Sequence, residues 1–309
     1  MVRRMRFVID RLIYVLTLWL GVILTAFVIF QLAPNDPARI ALGPNASQQQ
    51  VEAFRTELGL EKSLGERLTR YGKELAQGDF GRSFGDRRPV APEVLKRIQT
   101  TVALALLSTI FTLSYLVACI MAQLREETRL FTSVMNFLLT AMPTMFSGIL
   151  VILFVSQYYP YSYLTGSWIR IDDWLFLIPA ALVLAFYPMG ILGIIVEDEI
   201  GRVNRLGFVR AAQARGQGPV NVLWRHKVPN IMVPILATFA NQLPLLLTST
   251  FVVEIMFSVP GIGTLLLKSV LDRDLPMLQG ILIVSASFTL LITLAVEAIY
   301  PLIDPRVRQ

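Results

Sequence analysis

Residues 207–229 read Gly207-Phe-Val-Arg-Ala-Ala-Gln-Ala-Arg-Gly-Gln-Gly-Pro-Val-Asn-Val-Leu-Trp-Arg-His-Lys-Val-Pro229. The stretch is basic, rich in alanine, and interrupted by Gly216, Gly218 and Pro219. It lies between Trp174–Val196 and Val228–Val253, two segments without any Asp, Glu, Lys or Arg. Four more uncharged segments complete the pattern: Leu12–Leu32, Val102–Leu124, Leu130–Tyr159 and Leu275–Val296. About 20 residues of helix cross the roughly 30 Å hydrocarbon core of a bilayer, and each segment is long enough. Continuous apolar runs are not the alternating pattern of a barrel strand, so the backbone must satisfy itself as helix. The sequence therefore predicts an all-α integral membrane protein with six transmembrane helices.

Composition agrees. The 309 residues are 54% hydrophobic and 16% charged, against about 25% charged in a soluble domain. The net charge of +6 fits Lys and Arg held at the cytoplasmic face, and no nucleic-acid-binding motif accompanies it. The single cysteine, Cys119, lies inside the second apolar segment and reads as a packing residue. The N-terminal apolar run is too long for a signal peptide and reads as a retained first helix.

Charge also sets orientation. Arg3, Arg4, Arg6 and Arg11 precede the first helix and place the N-terminus inside. Six spans return the C-terminus inside, in agreement with Arg306 and Arg308. The segment Glu197–Lys227 is inside too: Arg202, Arg205, Arg210, Arg215, Arg225 and Lys227 outnumber Glu197, Asp198 and Glu199. The expected organisation is a first helix over residues 1–34 and an extracytoplasmic helical subdomain over 35–98. A five-helix core over 99–300 follows, with a cytoplasmic loop at 197–228 and a tail at 301–309. In the outer subdomain, helical patterns run from Ser47 through Leu58 and over Ser63–Leu75. It serves either to shield the outer mouth or to dock a soluble binding protein.

Pro143, Pro179, Pro188, Pro234 and Pro244 should bend the spans. Asn136, Asn241 and Gln242, with Gln157, are candidates to line a translocation pathway; interhelical packing is the other reading. No GxxxxGK[ST] loop, HExxH, GxSxG elbow or carboxylate pair with enzymatic spacing is present. The expectation is no catalytic residue, no metal site and no cofactor bound by this chain. With one histidine, His226, there is no His-based metal cluster.

The segment Leu206–Arg215 can form a short helix stopped by Gly216, and Gly218-Pro219 forces a turn before a second helical stretch. Ala211, Ala212 and Ala214 give the first helix little side-chain bulk, and Arg210 and Arg215 flank it. Such a helix is marginal alone, so it is either a contact for a partner or a connector lying on the lipid surface.

The pattern V-R-A-A-Q-A-R-G followed by L-W-R-H-K-V-P-N resembles the cytoplasmic signature loop of binding-protein-dependent ABC permeases, dipeptide/oligopeptide/nickel branch. Leu32-Ala-Pro-Asn-Asp-Pro37, Gly78-Asp-Phe-Gly81 with Ser83, Val253–Gly263, Asp272-Arg-Asp-Leu-Pro276 and Asp304-Pro-Arg306 are similar to further stretches of that branch, in order along the chain. Cys119-Ile-Met-Ala-Gln123, the acidic Glu197-Asp-Glu199, and Ser-Val before Pro260 depart from it.

The resemblance implies a type I ABC importer permease fold in a bacterial or archaeal cytoplasmic membrane. It implies a homologous second permease subunit, two ABC ATPase subunits carrying ATP and Mg, and an extracytoplasmic solute-binding protein. It assigns the ATPase contact, or coupling helix, to Arg210, Ala211, Ala212, Ala214, Arg215 and Gly216. It also marks Asp79, Phe80, Glu254, Pro260 and Gly261 as a gate or binding-protein contact. Di- or oligopeptides are the implied substrates, with nickel or a metal chelate as the alternative. A stand-alone secondary transporter or channel is the competing class; it would show inverted repeats or mid-membrane charge, and the sequence carries neither.

Overall fold

Pro143 makes the sharpest break in the chain. The sequence predicts one span over Leu130–Tyr159. The computed structural model has two helices there instead, Glu126–Ala141 and Thr144–Tyr158, bent by 107°. Proline disfavours the helical region for its predecessor, and Met142 is accordingly extended (φ −74°, ψ 122°). Pro188, Pro234 and Pro244 behave differently: each sits inside a continuous helix.

The structure describes residues 2–31, 36–43, 45–158 and 174–303. Most of the outer loop 156–173, residues 32–35 of the Leu32–Pro37 motif and the C-terminal Asp304-Pro-Arg306 fall outside these residues. The described chain is helical, with one isolated bridge between Arg82 and Pro89. In order the helices are α1 (Val2–Gln31), α2 (Pro37–Leu42), α3 (Gln48–Leu58), α4 (Leu64–Ala76), α5 (Val90–Ala122), α6 (Glu126–Ala141) and α7 (Thr144–Tyr158). Then come α8 (Leu177–Asn204), α9 (Gly207–Ala214), α10 (Pro219–Val222), α11 (Val228–Met256), α12 (Ile262–Leu271) and α13 (Leu275–Ile303). A 3₁₀ turn, Trp174–Phe176, precedes α8, and a π turn, Leu223–Lys227, joins α10 to α11. Among the described residues four helical runs are long and apolar enough to cross a membrane: Val90–Ala122, Leu177–Asn204, Pro219–Met256 and Leu275–Ala298. The bent pair α6–α7 makes a fifth if it is one span, and α1 carries a shorter apolar run, Ile13–Val28.

The chain divides into two compact units. The first comprises Met1–Thr100 and Pro260–Leu291. Its polar helices start where the sequence indicates: Ser47 with Gln50 and Ser63 with Glu66 form capping boxes that open α3 and α4. Ala38, Val51, Phe54 and Phe84 make a small core with Leu275 against it. Trp19 Nε1 donates to Ser287 Oγ at 2.8 Å, and Gln279 Nε2 donates to the Ala26 carbonyl at 2.9 Å, which ties α1 to α13.

The second unit comprises Thr101–Val259 and Ile292–Gln309. Helix α8 is its axis. It is apolar nearly all round, the pattern of a helix enclosed by others; 56% of its most apolar window is buried, against 11% for Leu275–Ala298. Two apolar clusters flank it. One joins Leu192, Val196, Ile200 and Val203 of α8 to Ile231 and Ile235 of α11; the other joins Ala180, Ala181 and Leu184 to Leu246, Val253 and Phe257.

Candidate coupling surface and polar junctions

Helix α9 is seated by its own sequence. Val209 and Ala212, three residues apart and so on one face, are 1% and 0% exposed and join the apolar cluster of α8 and α11. Arg210, Ala211, Gln213, Ala214 and Arg215 are exposed. Ala212 is therefore the residue that holds the helix down, while Ala211 and Ala214 form the low-relief outer surface between two arginines. Neither Arg210 nor Arg215 has an ion-pair partner among the described residues.

The helix ends in a Schellman turn. Gly216 adopts φ 78°, its N–H donates to the Gln213 carbonyl at 2.9 Å, and Gln217 N–H donates to the Ala212 carbonyl at 3.3 Å. Pro219 then opens α10 from a Gly218 cap. Val222 and Leu223, each 1% exposed, anchor in the same cluster as Val209. The π turn is closed by Val228 N–H on the Leu223 carbonyl, and Pro229, which has no N–H, follows at once. His226 Nε2 lies 2.8 Å from Gln217 Oε1 and braces the two halves of the loop. From Pro219 to Met256 the backbone is one helical run. A push on α9 thus meets α8 on one side and the base of α11 on the other.

Of the pathway candidates, Asn136 is fully buried and Gln242 is 8% exposed, while Asn241 is exposed. Asn136 is a junction. Its Oδ1 accepts from Tyr115 Oη at 2.7 Å, and its Nδ2 donates to Glu197 Oε1 at 2.8 Å; Ser133 Oγ donates to the other Glu197 oxygen at 2.9 Å. The Cys119 thiol is 3.7 Å from Asn136 Oδ1. Helices α6 and α8 approach closely because α8 presents Gly190 and Gly193. A Cβ on Gly193 would lie 2.1 Å from Asn136 Oδ1, and one on Gly190 would lie 2.2 Å from Thr140 Oγ1. Sequence reasoning registered Glu197 only as an unusual acid at the end of a span. It stands two residues before Glu199, which pairs with Arg202 at 2.6 Å; a two-residue step turns roughly to the opposite face of a helix, which is the signal that the two carboxylates face different surroundings.

The outer-motif residues separate. Asp79 is exposed and its Oδ1 accepts from Gly81 N–H at 2.9 Å; Phe80 is half-buried. In the same unit Pro260 is half-buried and Gly261 caps α12. Glu254 belongs to the second unit, where it is fully buried and accepts from Thr101 Oγ1 at 2.6 Å. A link that spacing could not reveal joins the two motifs of the first unit. Asp274 accepts from the Ser83 hydroxyl, from Phe84 N–H at 3.1 Å and from Met277 N–H at 3.3 Å. One carboxylate thus pins the turn after Gly81 to the start of α13.

The family described as the binding-protein-dependent transport system inner membrane component matches residues 111–309, and the N-terminal family of the same systems matches 4–105. The chain belongs to this family. It is a multi-pass protein of the inner membrane and the permease subunit of an ABC importer. A putative peptide transport system permease protein of Brucella abortus (strain 2308) is 29% identical over 97% of this chain and 98% of its own length. The glutathione transport system permease protein of Escherichia coli (strain K12) is 31% identical over 98% and 99%. A probable peptide ABC transporter permease protein of Sinorhizobium fredii is 28% identical over 98% and 99%. Systems of this family depend on a binding protein, and as ABC systems on an ATPase.

Proposed function

We propose that this permease carries short peptides across the inner membrane and that α9 receives the ATPase stroke. The observation that carries the coupling reading is the two-sided burial of α9: Val209 and Ala212 are held in the core while Arg210, Ala211, Ala214 and Arg215 stand clear. The chain itself performs no chemistry. Six spans with both termini cytoplasmic, α1 and the bent α6–α7 pair counted among them, put α9 on the ATP side. Residues 35–98 then form the outer subdomain that faces the binding protein. A homologous permease completes the pathway, and two ATPases with ATP and Mg bind below. The peptide class is supported by relatives named for peptide and glutathione transport over nearly their whole length.

The mechanism follows from rigidity. A surface held by buried apolar contacts moves with its neighbours. Closure of the ATPases displaces α9; Val209 and Ala212 press on α8, and Val222 and Leu223 carry the motion into the helical run to Met256. The spans then exchange outward- and inward-facing arrangements.

In proteoliposomes containing permeases, ATPases and binding protein, uptake of labelled di- and tripeptides should require ATP and the binding protein. Ala214→Glu should lower uptake at least several-fold with membrane insertion unchanged. Accumulation of another solute and of no peptide would refute the substrate class. Normal peptide uptake by Ala214→Glu and by Ala211→Glu would refute the coupling surface.

A further inference from the structure

A cavity of about 180 Å³ opens where α5 ends, α6 begins and α8 ends, room for about six waters. Its walls are Gln123 after α5, Arg129 and Ser133 of α6, and Glu197, Gly201 and Asn204 of α8. Three buried polar atoms of this lining have no hydrogen-bond partner among the described residues: Gln123 Nε2, Arg129 Nε and Asn204 Oδ1. Gln123 is only 8% exposed. Arg129 has one long contact, Nη2 to the Gln123 carbonyl at 3.5 Å, and no ion-pair partner among the described residues. Glu197 uses one lone pair of each oxygen on Asn136 and Ser133, and it too has no ion-pair partner among the described residues. An unpaired guanidinium and an unpaired carboxylate therefore line one cavity from two helices without meeting. Both residues are partly buried, while the unmatched Gln123 Nε2, Arg129 Nε and Asn204 Oδ1 are enclosed atoms, and an unmatched enclosed polar atom is costly; a complement to this lining has anionic oxygens at one end and an ammonium at the other.

Position identifies the source. The uncharged run of α5 stops at Leu124, that of α6 starts at Leu130, and that of α8 stops at Val196. The cavity thus lies at the depth where hydrocarbon gives way to headgroups. Arg129, Ser133 and Asn136 form one stripe of α6. The adjacent stripe, Leu130, Val134 and Phe137, is 77%, 49% and 66% exposed, an apolar track for acyl chains beside the polar cavity.

We propose that this cavity binds the phosphoethanolamine headgroup of a membrane phospholipid. The phosphate takes hydrogen bonds from Arg129 and Gln123. The ammonium donates to Glu197 and Asn204. The lipid then cross-links the α5–α6 turn to the end of α8, immediately before α9. This inference rests on the membrane placement of these helices and not on the peptide substrate, so either can fail alone.

The test is lipid binding to the purified, assembled transporter in detergent, read by native mass spectrometry and by thermal unfolding. Phosphatidylethanolamine should be retained and should raise the unfolding midpoint more than phosphatidylcholine or phosphatidylglycerol. Arg129→Met should weaken its binding about fivefold, the value of one cation at a headgroup. Gly201→Leu should abolish it by filling the cavity; a Cβ there meets no atom within 4 Å, and an unchanged unfolding midpoint of the lipid-free variant checks that the fold is kept. Equal retention of phosphatidylcholine removes the role of the ammonium hydrogen bonds and overturns the proposal. Tighter phosphatidylglycerol binding reduces the site to an anion site and also overturns it. Soluble phosphoethanolamine or glycine competing at equal affinity shows a free zwitterion as the occupant and overturns the lipid. Unchanged lipid retention in Gly201→Leu places the lipid elsewhere.

Discussion

Gly216 has open space around it, so its requirement is conformational: at φ 78° an L side chain costs about 1–2 kcal/mol. Gly216→Val should lower the unfolding free energy by about that amount, measured by thermal unfolding of the purified permease, and should shift the Arg215 end of α9. Tyr71, in polar helix α4, has a buried hydroxyl with no hydrogen-bond partner among the described residues. Burial, reinforced by the charge of Glu74, pushes its pKa up to about 12 from the usual 10. A raised acid pKa favours the neutral form in the fold. Its contribution to stability is complete below pH 10 and is lost as pH rises towards 12. Tyr71→Phe should be neutral or stabilising by up to about 1 kcal/mol at pH 8. The wild type should lose stability relative to that variant between pH 10 and 12, followed by unfolding midpoints across that range.

At the scale of elements, the close pair α6–α8 is the joint most sensitive to size. Gly193→Ala brings a methyl group against Asn136, which must leave Glu197 or push the helices apart. The expected cost is about 1–3 kcal/mol, read by thermal unfolding, whereas Gly201→Ala on the same helix should be neutral or slightly stabilising. Equal effects at the two positions would contradict the geometry. Helix existence here was legible in the sequence. The capping boxes at Ser47 and Ser63, the stop at Gly216 and the turn at Gly218-Pro219 all lie where residue chemistry puts them. The 107° break at Pro143 was foreseen only as a bend, because sequence does not reveal whether neighbours will straddle a proline, as they do at Pro188, or release the chain.

For the whole molecule, the apolar runs and the signature loop were enough to reach the family, and the comparisons with other permeases support it across both ends of the chain. What sequence could not reach was facing. Ala211, Ala212 and Ala214 read alike as small residues, yet only Ala212 is enclosed, because packing against α8 and α11 is decided by residues far away in the chain. The same limit hid the Asp274–Ser83 link and the cavity at Arg129: each joins segments whose approach is a property of the tertiary fold. Asn136 shows the converse. Its polarity inside a span was visible, but its partners, Tyr115 and Glu197, were not.

The central claim is that the outer face of α9 touches the ATPase and the inner face does not. The chain offers a clean test, since its single cysteine, Cys119, is buried. Single variants Ala211→Cys, Ala212→Cys and Ala214→Cys would be treated with a short bifunctional thiol reagent in membranes holding the assembled transporter, with cysteines introduced across the ATPase surface. The account predicts cross-linked permease–ATPase product from positions 211 and 214, changing with nucleotide, and none from position 212. Product from Ala212→Cys alone, or from none of the three, would contradict it.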